Sequence, residues 1–321
     1  MFSIIIPIYN CEEYLARCLN SLINQTSKEF ELICINDAST DKTAVILESY
    51  ISEFSSMKIF TNERNKGAAY SRQRGIIEAS YENIVFIDAD DYVAAEFAEN
   101  INDDIDDESE LICYGHIKIN EKWRKSEVVG ENKTFSPDEA IVSMNCKGYI
   151  TNYLWDKVFK KSIFFGITPA KEGMIIGEDY HLLSHYLLKV KKVVKYIKKA
   201  LYYYIIHDDS ISHRKFSDKF ISTYEAYKEL YVELCQQKSQ LKPQFSYFFL
   251  FESSILVSKI EKKDKESKKF IKDVQQEIRV NYHFIKQCKQ ISFTSKMSIW
   301  ILKINYQWFR IMFVIYKKLK L

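Results

Sequence analysis

The first hundred residues alternate between two hydrophobic periods. "SIIIPIY" is an unbroken apolar run that predicts a buried strand, and "CEEYLARCLNSLINQ" follows it with Leu15, Cys18, Leu19 and Leu22 at helical spacing. The beat then repeats. "FELICIN" predicts a second strand, and "STDKTAVILESYISEF" a helix with Ser39, Thr40 and Asp41 as capping groups. "MKIFTN", "KGAAYSRQRGIIEAS" and "NIVFID" add a third strand, a third helix and a fourth strand. Strands alternating with helices predict an α/β fold: a doubly wound, mostly parallel sheet with right-handed crossovers.

Beyond Asp91 the alternation weakens. "DDIDDESE" reads as an acidic linker or helix end, "LICYGHIKI" as a strand and "KSEVVGENKTFSP" as a hairpin and loop. "NYLWDKVFKKSIFFG" reads as a helix or tight turn with aromatic anchors. "GEDYHLLSHYLLKV" opens a helix whose apolar face is Leu182, Leu183, Tyr186, Leu187 and Val190. "VVKYIKKALYYYIIH" reads as a strand ending at His207, and from about Ser217 the pattern is helical, aromatic and basic.

Charge separates these regions. The formal net charge of +3 hides 8 basic against 16 acidic residues in 1–100, leaving +11 for the remainder. An acidic amino-terminal half argues against nucleic acid as a partner. In the tail, Lys296, Lys303, Arg310 and Lys317 recur every seven residues beside Trp300, Trp308, Phe309 and Phe313. Such a helix suits the surface of an anionic membrane through 291–321; a helical bundle or a contact in a homo-oligomer would bury the same aromatics. The seven cysteines are scattered with no C-x-x-C pair, as buried free thiols in a reducing cytoplasm would be. "MFSIIIPIYN" lacks the basic start of a signal peptide, and no apolar run is long enough to span a bilayer.

In doubly wound sheets ligands collect where strands end at their carboxyl side. Those ends are Tyr9 and Asn10, Asn36 and Asp37, Asn62 and Glu63, and Asp88 to Asp91. In "VFIDADDYV", Asp88 and Asp90 can converge on a divalent cation, and hard oxygen ligands favour Mg²⁺ or Mn²⁺ over zinc; an acidic turn ending a strand is the plainer account. Lys66 and Arg72 lie near a helix amino terminus able to attract a diphosphate, whereas Arg72 and Arg74 could equally form a solvated face. His181 and His185 are one turn apart, but the order is not that of a zinc protease helix.

"SIIIPIYN", "CINDASTDKT", "NERNKGAAYSRQRGI" and "VFIDADDYV", in this order and spacing, resemble the family 2 glycosyltransferases of GT-A fold. The likeness is dense over the first hundred residues and thinner to about Ser212. Two departures stand out: Ala38 replaces a glycine in "NDAS", and Ser71 and Gln73 replace the usual alanine and asparagine around Arg72.

The resemblance implies a Rossmann-like GT-A catalytic domain over 1–212, with a nucleotide-binding half (1–100) and an acceptor-binding half (101–212), followed by a helical region over 213–321. It gives Asp37 to the nucleobase, generally uracil, with Pro7, Tyr9 and Asn10 flanking the nucleoside, and Lys66, Arg72 and Asp88 beside the diphosphate or ribose. Asp88 and Asp90 become the metal pair, Asp91 orients their loop, and His207, before a Ser-Ile-Ser pattern, is a third metal or phosphate contact or else a surface histidine. In "MIIGEDYHLL", Asp179 is the base and Glu178 its helper. Trp155 would stack on a sugar unless it is core, and Lys157 would pair with phosphate or with the acidic pair. The implied enzyme is an inverting, Mn²⁺- or Mg²⁺-dependent transferase moving a sugar from a nucleotide sugar, generally a UDP-sugar, to a hydroxyl of a glycan or lipid-linked glycan in bacterial polysaccharide or lipooligosaccharide synthesis. It would work in the cytoplasm, peripheral to the inner membrane face if the tail binds lipid. The rivals are a sugar-nucleotide pyrophosphorylase, which would want a glycine-rich loop after the first strand, and an inactive glycan-binding or scaffolding relative.

Overall fold

The structure, a computed structural model, describes residues 1–120, 122–146, 148–168, 170, 177–207, 217–260 and 264–320, except for the side chains of 218 and 316–320. The described residues fall into two units, the first drawn from 1–141, 149–173 and 178–210, the second from 142–148, 174–177 and 211–321.

In the first unit β1 (Phe2–Ile8), β2 (Phe30–Asn36), β3 (Met57–Thr61) and β4 (Asn83–Phe86) are all parallel, in the spatial order β3-β2-β1-β4. The helices between them are α1 (Leu15–Ile23), α2 (Thr43–Tyr50) and α3 (Ala68–Glu78). β1 and β2 are buried on both faces apart from Pro7, which is why they read as continuous apolar runs. α1 buries Leu15, Cys18, Leu19 and Leu22, the stripe its spacing predicts. α3 lies tight on β1 because residue 75 is glycine: a Cβ there would come within 2.3 Å of Ile5 Cγ2.

The sheet then turns mixed. Its further strands are β5 (Tyr92–Val93), β6 (Ser109–Ile119), β7 (Arg124–Glu127), β8 (Lys133–Phe135), β9 (Lys157–Lys160) and β10 (Val193–Ile205), with helices α4 (Phe97–Asp104), α5 (Pro137–Asn145) and α6 (Glu178–Lys189). β9 sits antiparallel between β4 and β6, β10 runs parallel to β6, and β5 pairs antiparallel with β10.

Two local expectations are corrected here. "NYLWDKVFKKSIFFG", expected as a helix or tight turn, does turn at Trp155 and Asp156 and has a short 3-10 helix at Lys161–Phe164, but "KVFK" between them is strand β9, because it fills the gap between β4 and β6. "KSEVVGENKTFSP" forms no hairpin with itself: β7 pairs with His116–Ile119 of β6, past the stretch held by β9, and β8 pairs with β10. Longer strands with open edges outcompete a short local pair.

The second unit is helical: α7 (Asp218–Gln237), α8 (Lys242–Ser258), α9 (Lys265–Gln287), α10 (Phe293–Ile304) and α11 (Tyr306–Lys320). α8 is apolar around most of its circumference and buries Phe245, Tyr247, Phe248, Phe249 and Leu250, as a central helix must. α9 shows it a narrower stripe through Phe270, Val274, Ile278 and Ile285. Asp264 caps α9 by accepting the Ser267 N–H at 2.7 Å, and Ser292 caps α10 through Ser295 N–H at 3.2 Å. The tail is not one helix. Asn305 adopts an extended conformation between α10 and α11, so the seven-residue spacing of basic residues does not lie along a single axis. All seven cysteines are free thiols; Cys11 and Cys235 are only half-buried.

Candidate active site

The loops leaving β1 and β2 are laced together. Asn10 N–H donates to Ser39 Oγ at 3.0 Å, Thr40 N–H to Asn10 Oδ1 at 2.8 Å, Cys11 N–H to Thr43 Oγ1 at 2.9 Å and Glu12 N–H to Asp41 Oδ2 at 3.1 Å. Asn10 and Ala38, with φ of 49° and 59°, are the non-glycine residues with positive φ among the described ones. Both sit on this rim, where backbone strain commonly accompanies function. Tyr9 is 45% exposed beside them, while Pro7 lies half-buried in β1, paired with Ile35.

Asp37 does something the sequence reading did not assign to it. Its carboxylate is buried and filled from within: Asn62 Nδ2 at 2.7 Å and Lys66 N–H at 3.0 Å on Oδ1, Gly67 N–H at 2.7 Å on Oδ2. It therefore fixes the turn that starts α3, where Gly67 takes a φ of 87°. Asn62 also donates to Ser71 Oγ at 3.1 Å and accepts from Arg74 Nη1 at 2.7 Å. Ser71 is fully buried, so its hydroxyl, a departure from the family pattern, has a partner. Lys66 sends its ammonium over the Tyr70 ring, 4.3 Å from the centroid.

Arg72 is neither solvated nor free at the helix terminus. Its side chain is 5% exposed, and its guanidinium bridges two carboxylates: Nη1 to Asp179 Oδ1 at 2.8 Å and Nη2 to Asp88 Oδ1 at 3.0 Å. Burial opposes the charge on Arg72, but Asp179 and then Asp88 outweigh it and hold the group protonated. Burial pushes the Asp179 carboxyl up to about 7; Arg72 works against that rise, while Glu178 and Asp88 add to it. A carboxyl near neutrality at the start of α6 is suited to taking a proton.

The acidic loop is held from outside its own sequence. Asp91, fully buried, accepts from Tyr202 Oη at 2.7 Å and from Ile205 N–H at 2.7 Å. The same Tyr202 oxygen accepts the Asp88 N–H at 3.1 Å, and Arg17 Nη2 donates to the Asp90 carbonyl at 2.5 Å. Asp91 thus orients the loop, and Tyr202 and Arg17, which no sequence signal singled out, complete its frame. Asp90 faces His207, with Oδ2 at 3.8 Å from Nε2, and His207 packs on Tyr14 at 4.4 Å between ring centroids.

This corner fits a hard divalent cation. Among the described residues His207 Nε2 is buried with no hydrogen-bond partner, and the Asp90 pKa is raised, by burial first and by the Asp88 charge second. Among the described residues no three ligating side chains form a closed cage, since Asp88 is turned to Arg72. Mg²⁺ is commonly held by one or two carboxylates together with substrate phosphate oxygens, and Asp90 offers one such carboxylate. The Ser-Ile-Ser pattern after His207 lies outside the described residues.

Trp155 and Lys157 are corrected. Trp155 is 2% exposed, stacked on Tyr202 at 4.3 Å and Tyr153 at 4.6 Å, so no sugar can reach its face. Lys157 is 1% exposed and bound to Asp156 at 2.5 Å, Tyr153 O at 2.6 Å and Thr151 Oγ1 at 3.0 Å, which leaves it no reach to an acceptor or a phosphate. The space beside the acidic pair is instead a cavity of about 320 Å³, walled by Arg72, Gln73, Leu154, Phe164, Glu178 and Leu182 among others.

A parallel sheet extended by antiparallel strands, with carboxylates gathered at its strand ends, is the GT-A architecture. Known proteins agree. Residues 3–159 match the model of "Glycosyl transferase family 2". The putative glycosyltransferase EpsH of Bacillus subtilis is 28% identical over 79% of this chain and 75% of its own length. The minor teichoic acid biosynthesis protein GgaB of Bacillus subtilis is 29% identical over 66% of this chain but only 23% of its own. In fold, the crystal structure of S. aureus TarS 1–349 in complex with UDP-GlcNAc superposes with a TM-score of 0.76 at 21% identity, covering 99% of this chain and 91% of that one. The chain carries a family 2 glycosyltransferase domain and is a glycosyltransferase of GT-A fold.

Proposed function

We propose that the chain moves a sugar from a UDP-sugar to a hydroxyl of a bacterial surface glycan, with inversion at the anomeric carbon. The observation that carries this is the Arg72 bridge, which holds the base candidate Asp179 and the loop carboxylate Asp88 on one buried guanidinium. Support for the donor comes from TarS, crystallised with UDP-GlcNAc, and for the acceptor class from GgaB, named for teichoic acid biosynthesis.

Asp179 Oδ1 is pinned by Arg72, so Oδ2 is the oxygen left to accept the proton. The acceptor oxygen forms its bond to the anomeric carbon as the bond from that carbon to the diphosphate breaks, and UDP leaves with the electron pair. Glu178, on the wall of the cavity, would hold acceptor hydroxyls there. Tyr9, Asn10 and Lys66 would border the nucleotide on the β1–β2 rim. Asp37 shapes that rim through the loop it binds and, with most of its acceptor capacity used, would meet a nucleobase only at its edge. Mn²⁺ or Mg²⁺, held by Asp90 and His207 with Asp88 next to them, would supply charge neutralisation for the departing diphosphate.

Release of UDP from a panel of UDP-sugars, with and without chelator, tests this. Turnover that Asp179→Asn cuts by about 10²–10⁴-fold while UDP binding persists is the expected outcome. A folded protein that releases UDP from no donor would favour the inactive-relative reading.

A further inference from the structure

Helix α11 is apolar on two sides, and only one is packed. Tyr306 and Phe309 are 8% and 3% exposed, and Tyr306 Oη donates to the Ile260 carbonyl at 3.2 Å, so this side belongs to the helical unit. Trp308, Ile311, Met312 and Ile315, spaced three and four apart, form a second stripe on nearly the opposite side. They are exposed by 64%, 51%, 47% and 51%. Trp300 and Ile304 of α10 add more apolar surface, at 41% and 59%. The bundle alternative for this tail thus accounts for one face of α11 and leaves the other open.

Charge selects what covers it. Residues 291–321 hold six basic residues and not one acidic residue. Docking a second copy stripe to stripe would oppose two such segments, and like charges at an interface are repulsive. An anionic lipid surface meets both demands: acyl chains for the stripe, headgroups for the cations. At 15 residues α11 is about 22 Å long, short of a span, and no described helix is long and apolar enough to cross a bilayer.

We propose that α11, with the end of α10, lies in the headgroup region of an anionic membrane with Trp308, Ile311, Met312 and Ile315 inserted. The inference stands independently of the transfer reaction.

Cosedimentation of the full chain with vesicles tests it, using phosphatidylcholine alone and phosphatidylcholine mixed with phosphatidylglycerol. The wild type is expected to bind the mixed vesicles, less strongly at high salt, and to ignore the neutral ones. A Trp308→Gln, Ile311→Gln, Ile315→Gln variant should bind at least about tenfold less with unchanged circular dichroism, since each residue gives up a large buried apolar side chain. Lys296→Glu with Lys303→Glu, which flank Trp300 and Ile304 on α10, should remove the preference for anionic lipid. Three results would overturn the proposal: no binding by the wild type, equal binding by the triple variant, or a wild-type dimer that the triple variant dissociates in sedimentation velocity, which would make the stripe a contact between copies.

Discussion

Arg72→Met keeps most of the buried stem and deletes the charge that joins Asp88 to Asp179. Hydrogen bonds to charged partners contribute about 1.5–3 kcal/mol each. Asp88 and Asp179 keep 29% and 22% of their side chains open to water. Hydration therefore recovers part of the loss, and about 2–4 kcal/mol is expected to remain. The loss should also depend on pH in a direction the site dictates. With Arg72 gone, the charge that restrains the Asp179 pKa from rising beyond about 7 is gone. Well below that pH Asp179 is protonated in both proteins and one arm of the bridge is already weak; above it the wild type has the complete pair. Urea denaturation should show a larger deficit near pH 8 than near pH 6. A double-mutant cycle with Asp179→Asn should give a coupling of about 1–3 kcal/mol. Additive effects, or a deficit equal at both pH values, would refute the bridge as the element that holds Asp179.

Other consequences are checked as simply. The raised carboxyl of Asp179 means the folded chain keeps a proton the unfolded chain releases, so this group subtracts stability as pH rises from the ordinary carboxylate range to about 7; Asp179→Asn should flatten that part of the stability profile and cut kcat by about 10²–10⁴-fold. In the wild type, kcat/KM should fall on the acid side of about pH 7 with a slope of one proton. Ala38→Gly relieves a φ of 59° and should raise the unfolding free energy, read from urea denaturation, by up to about 1 kcal/mol. Trp155→Ala should lose about 3–5 kcal/mol in the same assay; a stable variant with only a raised acceptor KM would reinstate the sugar-stacking role.

The parallel half of the sheet was legible chiefly through β1 and β2, which are buried on both faces apart from Pro7, and through α1, which carries one apolar stripe. That pattern is a local property of the chain. β9 was not legible, since "KVFK" has no periodicity of its own and becomes a strand only because β4 and β6 leave a place for it. The same distinction separates the site residues. Asp88, Asp90 and Asp179 stand at predicted strand and helix ends, where the fold class itself directs attention. Tyr202 and Arg17 act through geometry across more than seventy residues of chain, and nothing in "YYY" or "LARC" announces it. Trp155 and Lys157 were misplaced for the opposite reason: a residue type suited to ligands is suited equally to a core, and only burial decides between them.

The bridge also explains why so acidic a rim is stable before any cation or diphosphate arrives. Asp88, Asp90, Asp91, Glu178 and Asp179 crowd one sheet edge, and the upward shifts at Asp90, Asp91 and Asp179 are each set by burial first and by neighbouring carboxylates as well. Left to themselves such groups would relieve the crowding by taking protons, and a protonated carboxyl can serve neither as base nor as a strong metal ligand. Arg72 opposes this at Asp179, and His207 and Arg17 oppose it at Asp90. Gly75 lets α3 press close enough to β1 to bring Arg72 there, and the Asp37 loop fixes where that helix begins. The residue a sequence reading assigns to the ligand and the residue that sets up the charge balance are thus joined through one helix, so damage at Asp37 should appear at Asp179 without any change in contact between them.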